Sequence, residues 1–346
     1  MPAYISRPRS AFGAHKISTA EIAEDIRSHH HDHPRLNAIL RVIGNCGVRT
    51  RYFARPLNSP TVSGVSDVGE RARTTFDDAL NLAEQAAGAA LTEGGLASGD
   101  IDAIITTHST GWAVPNLDIQ LMNRLRLRPA TRRIALTTLA CAGGTQALIR
   151  ATDYVAARPS HTVLVVAAEA ISGVYQHSDT NIQSMIYKAL FGDSAAAAIV
   201  TAHPLGPGMA IEDSFEYVLP DSVDRYSGRV APDGFHFDST REALTAADDI
   251  LPALVAWLDS RRTDFPVIHP GSARIITDTA AALGLGADAA RHSTDTLADE
   301  GNLGAPSVLR VLERTHQEPP PTGTRGTMVA YGPGFTTAAL HGHWHA

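Results

Sequence analysis

Hydrophobic positions along the 346-residue chain change period repeatedly, and the changes mark out its elements. Residues 68–92 carry alanine and leucine at helical spacing until Gly94-Gly95 and Ser98-Gly99-Asp100 break the pattern. A short apolar, β-branched run follows at 101–107 and reads as a buried strand. The alternation recurs as strand 133–139, helix 142–157, strand 162–167, helix 183–190 and strand 194–200. Beyond it come helix 240–260, strand 267–269, helix 272–283, helix 303–314 and strand 326–331. Residues 15–45 read as helical throughout. Near-continuous apolar strands alternating with helices predict an α/β layered fold whose sheet is covered on both faces. The two halves share this grammar without an exact repeat, and Pro204-Leu205-Gly206-Pro207-Gly208 is the expected join between units 1–203 and 204–346.

Composition narrows the function classes. Hydrophobic residues make up 44% and charged residues 19%, the balance of a soluble globular protein. Lys and Arg number 29 against 36 Asp and Glu, a net charge of −7, which argues against a broad phosphate-binding surface and so against nucleic acid as main partner. Two cysteines, Cys46 and Cys141, cannot staple a chain of this length, so the fold rests on its core in a reducing compartment. No stretch reads as a signal peptide or membrane span, and a cytoplasmic location is expected. The run His29-His30-His31-Asp32-His33 fans around a helix axis and reads as a solvated turn. His341, His343 and His345, alternating on a possible last strand, are read the same way, so no metal site is expected.

Cys141 falls where a strand ends and a helix begins, in Leu139-Ala140-Cys141-Ala142-Gly143-Gly144. The positive end of a helix favours thiolate, and the small neighbours leave room for a bulky substrate, as a nucleophile requires; an inert buried thiol is the alternative. His269, in Ile268-His269-Pro270-Gly271, again follows a strand, where a structural histidine is the plainer reading. Asn302, in Glu300-Gly301-Asn302, precedes a helix, where a capping role is the plainer one. Gly332-Pro333-Gly334 forms a loop whose glycines permit close backbone approach.

Together these motifs, with Ser178-Asp179-Thr180 and Ala189-Leu190-Phe191-Gly192-Asp193 between them, resemble the thiolase superfamily and within it the type III polyketide synthases, the chalcone-synthase-like enzymes. His-Pro-Gly around the histidine is that group's form, whereas ketoacyl synthases of fatty-acid initiation carry His-Gln-Ala-Asn. The resemblance implies two similar α/β halves in a layered αβαβα core. It implies Cys141 as nucleophile, His269 stabilising its thiolate as imidazolium, and His269 with Asn302 polarising the thioester of malonyl-CoA during decarboxylation. Phe191 and Phe235 are the implied gatekeepers between the CoA tunnel and the reaction cavity. Ser109, Val114, Ile171, Val174 and Gly304 are the implied cavity positions, with Val114 reaching into a partner subunit of a homodimer. Ser109 stands where malonyl-primed tetrahydroxynaphthalene synthases tend to carry cysteine, which argues against that product. Arg41, Arg49 and Arg51 are the implied contacts for CoA phosphates. Substrates would be an acyl-CoA starter and malonyl-CoA, with no cofactor and a cyclised aromatic or pyrone product.

The rival within the superfamily is a ketoacyl synthase III-like enzyme fed by acyl carrier protein. A non-catalytic partner subunit is a further alternative, but such partners lose the nucleophile. The starter, the number of extensions and the mode of cyclisation depend on cavity shape, which these residues do not fix.

Overall fold

The apolar runs pair into one mixed sheet in the computed structural model, which describes residues 2–244 and 246–346. The first half supplies β1 (Ala3–Ile5), β2 (Arg9–Phe12), β3 (His15–Ser18), α1 (Thr19–His29), α2 (Leu36–Gly44), β4 (Thr50–Phe53), α3 (Val68–Glu93), β5 (Ala103–His108), α4 (Leu117–Arg124), β6 (Arg132–Thr137), α5 (Gly143–Ala157), β7 (Val163–Glu169), α6 (Ile182–Leu190) and β8 (Ser194–Thr201). The second adds β9 (Gly208–Val218), β10 (Tyr226–Ala231), β11 (Gly234–Ser239), α7 (Ala246–Leu258), β12 (Phe265–Ile268), α8 (Ala273–Ala282), α9 (Arg291–Glu300), α10 (Ser307–Thr315), β13 (Arg325–Gly332) and β14 (Thr336–His345).

The sheet runs β12-β13-β14-β9-β1-β8-β7-β5-β6, with β2 also pairing β8. Parallel pairs β5–β7 and β12–β13 lie in corresponding places, each followed by an antiparallel neighbour, β8 and β14. Strands β7 and β8 are buried at every residue because helices cover both their faces, which explains runs such as Ala195-Ala196-Ala197-Ala198 with no polar alternation. Helices α5 and α10 lie between the two halves: α5 touches β7 and β5 on one side and β13 and β14 on the other. Their Ala147, Leu148, Val308 and Leu312 share one core with Val165 and Met328. Helix α3 covers the outer face of the first half through Leu80, Ala83 and Ala87, and α7 covers that of the second through Ile250 and Leu254. This is the layered thiolase-like αβαβα arrangement. Residues 203–207, between β8 and β9, are exposed. Among the described residues no helix is long and apolar enough to cross a membrane.

Several sequence expectations are corrected. Residues 15–45 are not one helix but β3, α1 and α2, because Ser18 caps α1 through Glu21 and the polar stretch after His30 ends it. The histidine run is not simply solvated: His30 is buried, with Nε2 2.7 Å from the Tyr175 hydroxyl, and His29 stacks on His177 at 3.4 Å. His341 is also buried, paired with the Thr327 hydroxyl.

Candidate active site

Cys141 lies in a tight turn, Ala140–Ala142, that leads directly into α5. The turn is fixed by strained backbone, with Thr138 at φ 63° and Ala140 at φ 45°, and by the Ala140 N–H, which donates to Ser109 Oγ at 2.8 Å. Gly143 and Gly144 have a structural purpose that their sequence context does not reveal. A Cβ on Gly143 would stand 2.5 Å from Thr107 Oγ1, and one on Gly144 2.2 Å from the Ala305 carbonyl oxygen. Their missing side chains admit neighbouring protein, not substrate. Gly332 acts similarly, since its Cβ would meet Ala142 Cβ at 2.8 Å and the Leu139 carbonyl at 3.0 Å. The Gly332-Pro333-Gly334 loop therefore presses on the nucleophile turn from β13.

Asn302 follows α9 and hydrogen-bonds at both backbone groups beside Phe191: its N–H donates to the Leu190 carbonyl and its carbonyl accepts from Gly192 N–H. Its side-chain Oδ1 accepts from the Gly304 N–H at 2.9 Å. That bond fixes the amide orientation, and the Cys141 sulfur lies 3.9 Å from both Oδ1 and Nδ2 of the amide. His269 terminates β12, its N–H donating to the Val329 carbonyl. The ring is buried, Nδ1 has no partner, and among the described residues no hydrogen bond joins it to Cys141 or Asn302.

Burial opposes charge on both groups. The Cys141 thiol is pushed up to about 12, first by burial and then by the Glu169 carboxylate, with Asn302 pulling the other way. His269 is pushed down to about 3 by burial. Burial therefore works against the thiolate–imidazolium pair that the resemblance implies for Cys141 and His269.

The chamber at Cys141 is lined by Ser109, Thr110, Glu169, Ile171, Phe191, Tyr226, Phe237 and Gly304, and its free volume is about 10 Å³. That is room for one water molecule. Phe191 meets Phe237 at 5.8 Å, and Tyr226 stacks on Phe237 at 5.7 Å. Phe237 lines the chamber together with Phe191, while Phe235, two residues earlier on the same strand face and 5.0 Å from Phe237, lines the adjoining cavity. Gly304 has φ 67°, and a Cβ there would press on Glu169 and Ile171 at 3.1 Å, so this wall admits no larger residue cheaply.

Two functional candidates carry no sequence motif of their own, Tyr226 and Phe237, since the β10–β11 hairpin that bears them has no long apolar run. Glu169 is a third. Its Oε2 accepts from Ser109 N, Thr110 N and Thr110 Oγ1, while Oε1 is buried without a partner, and burial raises its pKa. Of the remaining positions, Val174 lines the second cavity and Val114 is 80% exposed outside both. Arg41 and Arg49 are exposed, Arg49 pairing with Asp299 at 2.6 Å. Arg51 is withdrawn from the CoA set, because it is fully buried and donates to the carbonyls of Ile17 and Ala189 and to Thr19 Oγ1. Asp25, His29 and His177 gather potential ligand atoms within 4.8 Å, yet the two rings lie stacked 10° from parallel, so their in-plane lone pairs do not converge on one ion.

The chain matches the model of the chalcone and stilbene synthase N-terminal domain over residues 26–204. It is 33% identical over 353 aligned positions to a 1,3,6,8-tetrahydroxynaphthalene synthase of Streptomyces coelicolor, covering 99% of this chain and 92% of that one. It is 29% identical to a phloroglucinol synthase of Pseudomonas fluorescens, covering 98% of each. Among solved structures, germicidin synthase of Streptomyces coelicolor, a type III polyketide synthase, superposes with TM-score 0.94 at 30% identity over the whole of both chains. With the fold, the buried Cys–Asn contact and the full-length likeness in agreement, the chain belongs to the chalcone and stilbene synthase family and is a type III polyketide synthase.

Proposed function

We propose that Cys141, His269 and Asn302 carry the condensation, an assignment supported above all by the buried contact of the Asn302 amide with the Cys141 sulfur at 3.9 Å. The Cys141 sulfur attacks the carbonyl of an acyl-CoA starter, a C–S bond forms, and the CoA thiolate leaves and takes up a proton. Malonyl-CoA then loses carbon dioxide. The electron pair of the broken C–C bond moves onto the thioester oxygen, where Asn302 Nδ2–H and an N–H of neutral His269 stabilise it. The enolate carbon attacks the Cys141 thioester, forms a C–C bond and expels the Cys141 sulfur. Entry of a substrate requires the Phe191–Phe237–Tyr226 wall to part. Parting also admits water and relaxes the burial that opposes transfer of the thiol proton to His269.

Phe191 and Phe237 are the gate in this reading, and Ser109, Ile171, Val174 and Gly304 shape the space behind it. Exposed Arg41 and Arg49 remain the candidates for CoA phosphates. A homodimer is proposed on two observations. Strand β6 ends the sheet with an open, largely exposed edge, and Trp112 and Val114 stand out beside it, 74% and 80% exposed. Incubation with malonyl-CoA, alone and with acyl-CoA starters, is expected to yield polyketide products identifiable by mass spectrometry. Product formed only from malonyl-acyl carrier protein would support the ketoacyl synthase alternative instead.

A further inference from the structure

We infer that Glu300 is a positioning residue for Asn302, held in that role by Arg310 and Arg314 of α10; this rests on the reading that Asn302 stabilises the enolate of malonyl-CoA. Glu300 ends α9 and is buried, its side chain only 6% exposed. Arg310 takes its carboxylate in a two-pronged grip, Nε donating to Oε2 at 2.9 Å and Nη2 to Oε1 at 2.7 Å. Arg314 Nη2 adds a third bond, to Oε1 at 2.8 Å. The arginines are themselves fixed. Arg310 Nη1 donates to Glu313 Oε2 at 2.8 Å and its guanidinium lies over the Phe12 ring, while Arg314 Nη2 also donates to Asp299 Oδ2 at 3.3 Å.

Gly301 alone separates Glu300 from Asn302, and at φ 78° it lies in the left-handed region, so the chain leaves α9 in a direction set by what holds it on either side. On one side the Asn302 backbone pairs with Leu190 and Gly192, which flank Phe191. The approach is close. A Cβ on Gly301 would stand 2.7 Å from the Leu190 carbonyl oxygen, and one on Gly192 2.6 Å from that of Glu300. On the other side the Glu300 carboxylate ties the same short segment to α10. A buried ion pair is a poor source of stability, because desolvation offsets most of the attraction; its better-attested use is to specify one geometry. The geometry specified here is that of residues 300–302. If Glu300 releases α10, the Asn302 amide shifts against the Cys141 sulfur and the thioester oxygen, and a misplacement of about 1 Å at a reacting centre costs up to about 100-fold in rate.

The test compares two rates that depend differently on Asn302: carbon dioxide release from malonyl-CoA, measured in the Cys141→Ala background, and acylation of Cys141 by butanoyl-CoA, measured with the thiol present. Glu300→Gln keeps the shape of the side chain and removes its charge. It is expected to lower kcat for carbon dioxide release about tenfold with KM for malonyl-CoA within about twofold, while acylation stays within about twofold and so reports that the variant is folded. Combined with Asn302→Ala, Glu300→Gln is expected to cost nothing further, because the amide it positions is gone. Equal losses in both rates, an undiminished carbon dioxide rate, or a further tenfold loss on top of Asn302→Ala overturns the inference and leaves an ion pair that only joins α9 to α10. Should Glu300→Gln not fold, Arg314→Gln, which removes one of the three bonds to the carboxylate, is carried through the same rates and the same double-variant comparison, and the same outcomes decide. Parent-rate carbon dioxide release by Asn302→Ala alone would instead overturn the role of Asn302 on which the inference rests.

Discussion

Cys141 is pulled in opposite directions by its position and its surroundings. It stands just before α5, where a helix N-terminus favours an anion by up to about 2 kcal/mol. Complete burial and the neighbouring Glu169 push the thiol from 9.0 to about 12, a difference of roughly 4 kcal/mol, so burial wins. The sign follows: with its pKa raised, the thiolate fraction in the free enzyme increases with pH through and beyond the ordinary thiol range. Alkylation of Cys141 by iodoacetamide is therefore expected to accelerate steadily from pH 6 to pH 10. A plateau already at pH 6 would mean a preformed ion pair with His269. Asn302 acts on the other substrate. Asn302→Ala is expected to slow malonyl-CoA decarboxylation by about 100-fold or more, the typical cost of removing one oxyanion donor, whereas Cys141→Ala leaves carbon dioxide release measurable while ending product formation. Parent-rate decarboxylation by Asn302→Ala would reduce Asn302 to a turn-forming residue. At this scale the motifs around Cys141, His269 and Asn302 were legible in the sequence, but the service of Gly143 and Gly144 was not. Only the folded chain reveals that Thr107 and Ala305 occupy their missing side chains.

Elements with one environment along their length were the easiest to read. Strands β7 and β8 are buried throughout and α3 keeps a regular apolar face, so each left a clear pattern. Strand β9 changes from buried to exposed halfway, and β10 is half-exposed, so neither presents a steady period. Helices α4 and α9 are polar on most of their surface and escaped notice for the same reason. Phe235 and Phe237 point to one face of β11, and only the folded chain shows that Phe237 lines the Cys141 chamber while Phe235 lines the cavity beside it. The contact between α5 and the turn that precedes α10 offers a stability test. Gly144→Ala places a Cβ 2.2 Å from a backbone oxygen that no rotamer change can move away. Overpacking of this kind is expected to destabilise by about 1–3 kcal/mol, visible as a lower melting temperature and weakened activity. An unchanged melting temperature would show that the Ala305 backbone yields freely.

For the whole molecule, the sheet joins its halves through β1 and β9 and sandwiches α5 and α10, bringing Cys141 from one half to Asn302 of the other. The layered class was legible from the alternation of elements, whereas the merging of both halves into one sheet depends on the three-residue β1, too short to leave a pattern. The open edge at β6 and the exposed Trp112 and Val114 predict self-association. Sedimentation at micromolar concentration is expected to give twice the chain mass of 36.7 kDa, and a mass of one chain would remove the homodimer. The chemistry assigned to Cys141 is tested most directly by mass spectrometry of its peptide, after brief incubation with decanoyl-CoA or butanoyl-CoA followed by malonyl-CoA. The account predicts an acyl group on Cys141, then species lengthened by successive two-carbon units on the same sulfur, and none in Cys141→Ala. An unmodified Cys141 peptide from an enzyme that is making product, or an adduct that survives in Cys141→Ala, would contradict it.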